Sequence, residues 1–311
     1  MLFRSRRSRA AGRGLARLKF LVAGLVNTET TVRVQGFPLE YAPVHYPFFG
    51  IQSAASGVGF NVASALVTLG ATVNLCAFIG EDSAGSVVRA RLEALGLAGY
   101  LEPIPEHPQS VALVDSSGQR SIYTDLKDVQ DRQFDPEMLA AALRDADAAL
   151  IGNLNFARPA LALARAADVP IYTDLHAIHH LDNPYDRDFL EAADVLFFSG
   201  EYLPAEPIEL ALEGFNRHAQ LQVIVIGAGA RGAWLFERGE RPHLEPGIPN
   251  PALKSTIGAG DALCASFAYV HRQSGDARFA IARAVRFASH KLGSIGGASG
   301  FLTATELERL M

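Results

Sequence analysis

Near its carboxyl end the chain carries Ser255-Thr256-Ile257-Gly258-Ala259-Gly260-Asp261-Ala262-Leu263, a glycine turn, a helix start and an acid in close succession. Ala262 to His271 holds no helix breaker and follows the glycines directly, so Gly258 to Asp261 should form the first turn of a helix. The first amides of a helix lack internal partners and carry the positive end of its dipole, and glycine lets a phosphate approach the backbone. Such a turn binds anions. Asp261 then has two readings: a carboxylate that complements the dipole, or a base that takes a proton from a hydroxyl attacking a phosphoryl group.

Other glycine stretches carry weaker chemistry. Ser56-Gly57-Val58-Gly59-Phe60-Asn61 precedes a helical pattern, its glycines open to a ligand and Asn61 offering both donor and acceptor, although a plain loop-to-helix turn accounts for the same glycines. Ile79 to Gly85 ends a strand and supplies capping acids, a structural role. Gly227-Ala228-Gly229-Ala230-Arg231-Gly232 matches the dinucleotide fingerprint G-x-G-x-x-G, which requires a helix next. Ala233 to Glu237 reads instead as a strand, so the run is kept as a turn bordering a nucleotide; an NAD oxidoreductase would need a helix there. His176, His179 and His180, near Asp174 and Asp182, have zinc-ligand chemistry, but the strand ending at Asp174 leads into a loop, and histidines at a pocket mouth are expected rather than zinc. Neither a Walker A sequence nor a Gly-x-Ser-x-Gly elbow occurs.

These residues must be positioned by a chain of 311 residues, 49% apolar, enough for one large domain or a domain with a small appendage. The first apolar run, Phe20 to Val26, is too short to span a bilayer. Residues 1–19 hold six Arg and Lys19 with no acid, while the remainder has 21 basic against 33 acidic residues, a net −12. Residues 1–18 are expected to be a disordered basic extension. The acidic body carries no basic stripe, so neither nucleic acid nor membrane is an expected partner. Two cysteines, Cys76 and Cys264, lack metal-ligand spacing and suit a reduced core in the cytoplasm.

Apolar runs predict strands at Phe20–Leu25, Thr72–Ile79, Ala148–Gly152, Pro170–Asp174, Asp194–Ser199 and Gln222–Ile226. Helical patterns fall at Val58–Leu69, Ala84–Leu95, Pro136–Arg144, Pro159–Ala167, Ala262–His271, Ala277–Lys291 and Glu306–Leu310. Asp135-Pro136 reads as an N-cap with proline at the first helical position, and Thr305 to Glu308 as a capping box. The alternation gives an α/β fold with a mostly parallel sheet covered on both faces. Thr31 to Ile51 and Ser110 to Asp125 break it and read as β-ribbon, a small sheet forming a lid from about residues 29–52 and 108–126 over residues 19–311.

Taken together, Ser56 to Asn61, Leu69-Gly70, Ile79-Gly80-Glu81-Asp82 with Gly85, Gly229-Ala-Arg-Gly232 and Thr256-Ile-Gly-Ala-Gly-Asp261 resemble the phosphofructokinase-B or ribokinase family of carbohydrate kinases, in order and spacing from about Leu18 to Leu302. The resemblance implies a ribokinase-like three-layer α/β/α domain with a small β lid, and transfer of the γ-phosphate of ATP, with Mg2+, to a hydroxymethyl group of a sugar or nucleoside. It implies Asp261 as catalytic base and the amides of Gly258, Ala259, Gly260 and Asp261 as an anion hole. Gly227, Gly229, Gly232, Gly258, Gly260 and Ser289 would border the nucleotide; Asn27, Glu29, Gly57, Gly59, Asn61, Asn155 and Asp261 would contact the acceptor.

The chain also departs from the family pattern. Glu29 stands where Asp is usual, Gly200-Glu201-Tyr202-Leu203 replaces an Asn-x-x-Glu that organises magnesium, Ser255 replaces an acid tied to a monovalent cation, and Asn155 replaces the Glu of ribokinases. The metal ligands are therefore unassigned, and a kinase-fold sugar- or nucleoside-binding protein with weak catalysis is the rival reading. Tyr41, His45, Tyr46, Phe48, Phe49 and Phe60 can stack on a nucleobase, pack the lid on its own domain, or pair it with a second lid in a homodimer. Arg33, Arg120 and Lys127 are available to a phosphorylated acceptor.

Overall fold

Apolar runs become the strands of one large sheet in the computed structural model, which describes residues 17–97 and 99–311. In chain order the elements are β1 (Lys19–Ala23), β2 (Asn27–Arg33), β3 (Ile51–Ser56), α1 (Val58–Thr68), β4 (Thr72–Gly80), α2 (Ser83–Ala94), β5 (Gly99–Ile104), β6 (Gln109–Val114), β7 (Arg120–Asp125), α3 (Pro136–Leu143) and β8 (Ala148–Ile151). They continue with α4 (Arg158–Ala166), β9 (Ile171–Ala177), α5 (Arg187–Ala192), β10 (Val195–Ser199), α6 (Ile208–Arg217), β11 (Val223–Gly227), β12 (Gly232–Glu237), β13 (His243–Pro246), α7 (Ala259–Ser274), α8 (Ala277–Lys291) and α9 (Ala304–Arg309).

Nine strands run across the sheet in the order β13, β12, β11, β10, β9, β8, β1, β4, β5. All neighbours pair parallel except at β12 and β13, which pair antiparallel at one edge. Because β1 feeds β4 on one side while β8 returns to its other side, the strand order reverses between β1 and β8. A parallel sheet opens a crevice at the carboxyl ends of its strands at such a reversal. Each face has its own core. Phe60, Leu66, Phe267, Ile281 and Phe287 lie on the side of α1, α7 and α8; Phe134, Phe156, Phe189 and Phe215 lie on the side of α3 to α6.

A separate four-stranded sheet has the order β3, β2, β6, β7. The expected ribbon over Thr31 to Ile51 is corrected: the strands reach back to Asn27 and forward to Ser56, and residues 34–50 form no strand. β2 and β3 instead pair Asn27 with Ser56 through Val32 with Ile51, which brings the ends nearest the large sheet into register. Phe60, on the inner face of α1, is fully buried and out of reach of a nucleobase, whereas Tyr41 and Phe49 are 94% and 97% exposed and pack on no part of their own domain.

Four elements were not expected. β5 contains Glu102 and Pro103, which interrupt its apolar run; it lies at the sheet edge, where proline is tolerated. β13 has four residues and α5 six, too few to show a period. In α6, Gly214 breaks the helical pattern, yet a Cβ there would stand 3.2 Å from Ile224, so glycine lets the helix lie close to β11. The capping box is displaced by two residues: Thr303 and Glu306 exchange the bonds, and Glu308 pairs with Arg283. Asp135 caps α3 with Pro136 at its start. Residues 1–16, most of the expected extension, lie outside the described residues; Leu18 already docks, its carbonyl accepting from Thr72. Cys76 and Cys264 are free and buried. No helix among the described residues is long and apolar enough to cross a membrane.

Candidate active site

Gly258 is the N-cap of α7 and adopts a left-handed φ of 78°. A Cβ there would lie 2.4 Å from the carbonyl of Gly297, so only glycine fits. Ala259 donates back to Thr256 and Ala262 to Gly258, while the amides of Gly260 and Asp261 are bonded to no acceptor among the described residues. A Cβ on Gly260 would meet nothing within 4 Å, so the turn is open on that side. The helix begins at Ala259, inside the first turn expected over Gly258 to Asp261.

Asp261, in that first turn, is 8% exposed. Asn61 of α1 donates from Nδ2 to its Oδ2 at 2.7 Å. Burial pushes the Asp261 carboxyl up to about 6; the Asn61 bond works against this, and the charge of Asp174 adds to it. Gly57 and Gly59 bring α1 into place. A Cβ on either would clash with Leu25 or Gly24 of the loop after β1, at 2.5 and 2.6 Å. These glycines thus set the position of Asn61.

Three more charges surround the turn. Glu29 of β2, buried, has its carboxyl held above the usual range by burial and then by the charge of Asp261. Lys291, the last residue of α8, is 0% exposed and donates from Nζ to the carbonyl of Ile257. Burial lowers its ammonium to about 8, against the pull of Asp261 and Glu29. Arg120 of β7 reaches from the small sheet to Thr256, Nη1 to Oγ1 at 2.5 Å. Asn27 donates to Ser110 at 3.0 Å. The side-chain oxygens of Asn27 and Asn61 are buried without a partner among the described residues.

The residues expected near a nucleotide form a second group. Gly227 ends β11, and its carbonyl accepts from Gly200 at 2.8 Å. Residues Gly229–Arg231 make one short 3-10 turn, and Gly232, at φ 106° with its would-be Cβ 2.0 Å from Glu245, starts β12. A strand follows the fingerprint where a helix is required, which removes the NAD reading. Gly247 packs on this turn, its amide donating to Arg231 at 2.9 Å. Ser289 then ties α8 to the same segment, its hydroxyl donating to Ile248 at 2.5 Å and its carbonyl accepting from Asn250 at 2.7 Å. Gly232 and Ser289 therefore border one segment, residues 247–258, that ends in the anion turn, while Gly229 has nothing within 4 Å of its Cβ position.

Asn155 stands apart. Its amide donates to the Gln130 carbonyl at 2.9 Å and accepts from Arg158 at 3.1 Å, which fixes it beside β8. The histidines also separate: His176 has a positive φ and bonds Asp174 through its backbone, His179 stacks on Tyr202 at 4.4 Å, and His180 accepts from Asp182. Among the described residues no three His, Cys, Asp or Glu side chains gather as a metal group, and Glu201 is exposed. A cavity of about 20 Å³, room for about one water, lies at the ends of β1, β8 and β9, lined by Gly24, Gly152, Asp174 and Cys264.

Lys291 and Gly297 were not anticipated. A signal for Lys291 existed: it continues the buried stripe Ala280, Ala284, Phe287 along α8, and a charge on such a stripe is unusual. Gly297 lies in Gly293-Ser-Ile-Gly-Gly-Ala-Ser-Gly300, a dense small-residue run whose backbone approaches both Gly258 and Asn61.

Residues 18–304 match the family model described as pfkB family carbohydrate kinase. A ribokinase of Arabidopsis thaliana is 26% identical over 80% of this chain and 69% of its own length. An acarbose 7(IV)-phosphotransferase of Actinoplanes is 26% identical over 81% of this chain and 84% of its own. Among solved structures, a microbiome-derived acarbose kinase superposes with a TM-score of 0.86 at 26% identity, covering 94% of this chain and 98% of that one. Arabidopsis ribokinase complexed with ribose and ATP gives 0.77 at 21% identity, over 95% and 99% of the two chains.

Proposed function

The chain belongs to the pfkB family of carbohydrate kinases, and from that premise we propose that it phosphorylates a hydroxymethyl group of a sugar or nucleoside. One observation carries the reading. A buried carboxylate, Asp261, shares a helix turn with two amides that have no acceptor among the described residues, on a turn left open at Gly260.

Each side chain then has a task. Asp261 accepts the proton of the attacking hydroxyl; with its carboxyl held at about 6 it is ionised at neutral pH and still basic enough to act. The amides of Gly258 to Asp261 stabilise the charge that develops on the transferring group through dipoles fixed in advance. Glu29, with the unpaired oxygens of Asn27 and Asn61, forms a wall of acceptors suited to several hydroxyls. Asn155, with its amide already engaged, is assigned a structural role. ATP would supply the phosphoryl group, and the turn at Gly227 to Gly232 with Ser289 fits its adenosine end. Magnesium finds no preformed protein group and no residue is assigned to it; Mg2+ commonly keeps waters and phosphate oxygens as ligands.

The small sheet acts as a lid. Arg120 joins it to Thr256 beside the anion turn, so closing it excludes water from the reacting groups. Exposed Tyr41, Tyr46, Phe48 and Phe49 favour pairing of two lids in a homodimer. The buried free thiols suit a cytoplasmic protein.

The test is ADP release from ATP and Mg2+ across free sugars, oligosaccharides, sugar phosphates and nucleosides. Asp261→Asn should lower turnover by about 10² to 10⁴ while folding is kept. Turnover equal to wild type refutes the assignment. Acceptor binding without ADP release favours the rival reading, which rests on Gly200 to Leu203 standing where Asn-x-x-Glu is usual.

A further inference from the structure

Lys291 has no place in the reactions above. Its environment nevertheless gives it one. A lysine ammonium is strongly hydrated, and taking it wholly out of water costs free energy unless charge and hydrogen bonds compensate. Here the ammonium ends against the carbonyl of Ile257, the residue before the left-handed Gly258. That carbonyl stands four residues before Asp261, yet no bond from the Asp261 amide reaches it among the described residues, because the left-handed step turns the chain away from the helix axis. A buried carbonyl at this point needs a cationic or donor partner.

The rest of the α8 terminus grips the same segment. The Leu292 carbonyl accepts from Lys254 and Ser255, and Ser289 holds Ile248 and Asn250. Among the described residues Lys291 alone joins this clasp through a charged side chain, and the charges acting on it are Asp261 from α7, Glu29 from β2 and Arg120 from β7.

We propose that Lys291 is a positioning residue: its ammonium is a tethered cation that holds the Ile257 carbonyl and thereby the anion turn, in the place where a dissolved monovalent cation would otherwise be needed. Ser255, the neutral residue standing where an acid is usual, fits this, because a site with its own ammonium has no need of an acid to attract an ion. The proposal rests on the kinase reading for its kinetic consequence but not for its structural one.

Two measurements separate the cases. In choline-buffered solution, without potassium or sodium, wild-type turnover and melting temperature should stay within about twofold and 1 °C of their values in potassium, the margins of measurement around no coupling. Lys291→Ala should lose about tenfold or more in turnover and recover most of it with potassium or methylammonium, its melting temperature rising with the same ions. Wild-type turnover should decline above pH about 8, where the Lys291 ammonium gives up its proton, and Lys291→Met should lack that decline. The proposal is overturned if wild type requires potassium, if Lys291→Ala is as active as wild type in choline, or if its loss is restored by no small cation although it folds and binds ATP. Should wild type phosphorylate no acceptor, the kinase reading fails, and the melting response of Lys291→Ala to small cations still decides whether the pocket holds a cation.

Discussion

Replacing Asn61 by Leu removes the one side-chain hydrogen bond that Asp261 receives among the described residues while keeping a side chain of similar bulk on α1. The bond is 2.7 Å long, buried and made to a carboxylate, and such bonds contribute about 1.5 to 3 kcal/mol. Since 1.36 kcal/mol corresponds to one pH unit, the Asp261 carboxyl, held at about 6 with the bond in place, should rise by about one to two units without it. Turnover in wild type should climb through pH about 6 and level off below about 8, where Lys291 begins to lose its proton. In Asn61→Leu the climb should be centred about one to two units higher, so that activity relative to wild type at the same pH falls severalfold at pH 7 and returns in large part at pH 9. Stability should follow the same carboxyl. The folded carboxyl titrates above the unfolded value of 3.8, so its ionisation costs stability as pH rises from 3.8, and losing the bond enlarges that cost only where the group is ionised. Denaturant unfolding at pH 8 should therefore show a deficit of about 1.5 to 3 kcal/mol that shrinks toward zero near pH 4. A pH–turnover curve for Asn61→Leu superimposable on wild type, with activity retained, would refute Asp261 as the proton acceptor.

Gly258→Ala forces a Cβ to 2.4 Å from Gly297 in a left-handed position, and should cost at least about 1 to 2 kcal/mol of stability, read as a lower denaturation midpoint. Gly260→Ala meets no protein atom, so its midpoint should match wild type while its methyl group, standing in the anion's approach, weakens ATP binding about tenfold or more by calorimetry. Equal effects from the two glycines would contradict the open face assigned to residue 260. Glu29→Gln should raise the acceptor KM about 10- to 100-fold and leave the ATP KM near wild type, the loss of one charged hydrogen bond; a change confined to ATP would remove Glu29 from the acceptor side.

The anion turn was legible because it is local: two glycines, an acid and an unbroken apolar helix lie within one turn. So was the large sheet, whose central strands are apolar on both faces. What stayed hidden depends on partners far away along the chain. Asn61 and Asp261 are 200 residues apart, and Arg120 meets Thr256 across 136. The glycines at 57 and 59 advertised backbone contact, yet the contact they make is with Leu25 and Gly24, so the same residue type signals a ligand or a neighbouring loop alike. Asn155 matched by position and is held by Gln130, which no local pattern foretells. Short elements at the edges, β5 and β13, escaped because too few residues carried their period.

The small sheet leaves and re-enters the large domain at two of its most chemically charged points. β2 opens at Asn27 only four residues after β1 closes, with Glu29 two positions further on, and β3 runs through Ser56 into Gly57, the cap of the helix that bears Asn61. There is no slack between them. Any tilt of that sheet pulls Glu29 and the Asn61 amide bonded to Asp261 along one covalent lever, so under the proposed function hold on the acceptor and readiness of the base rise and fall as one variable.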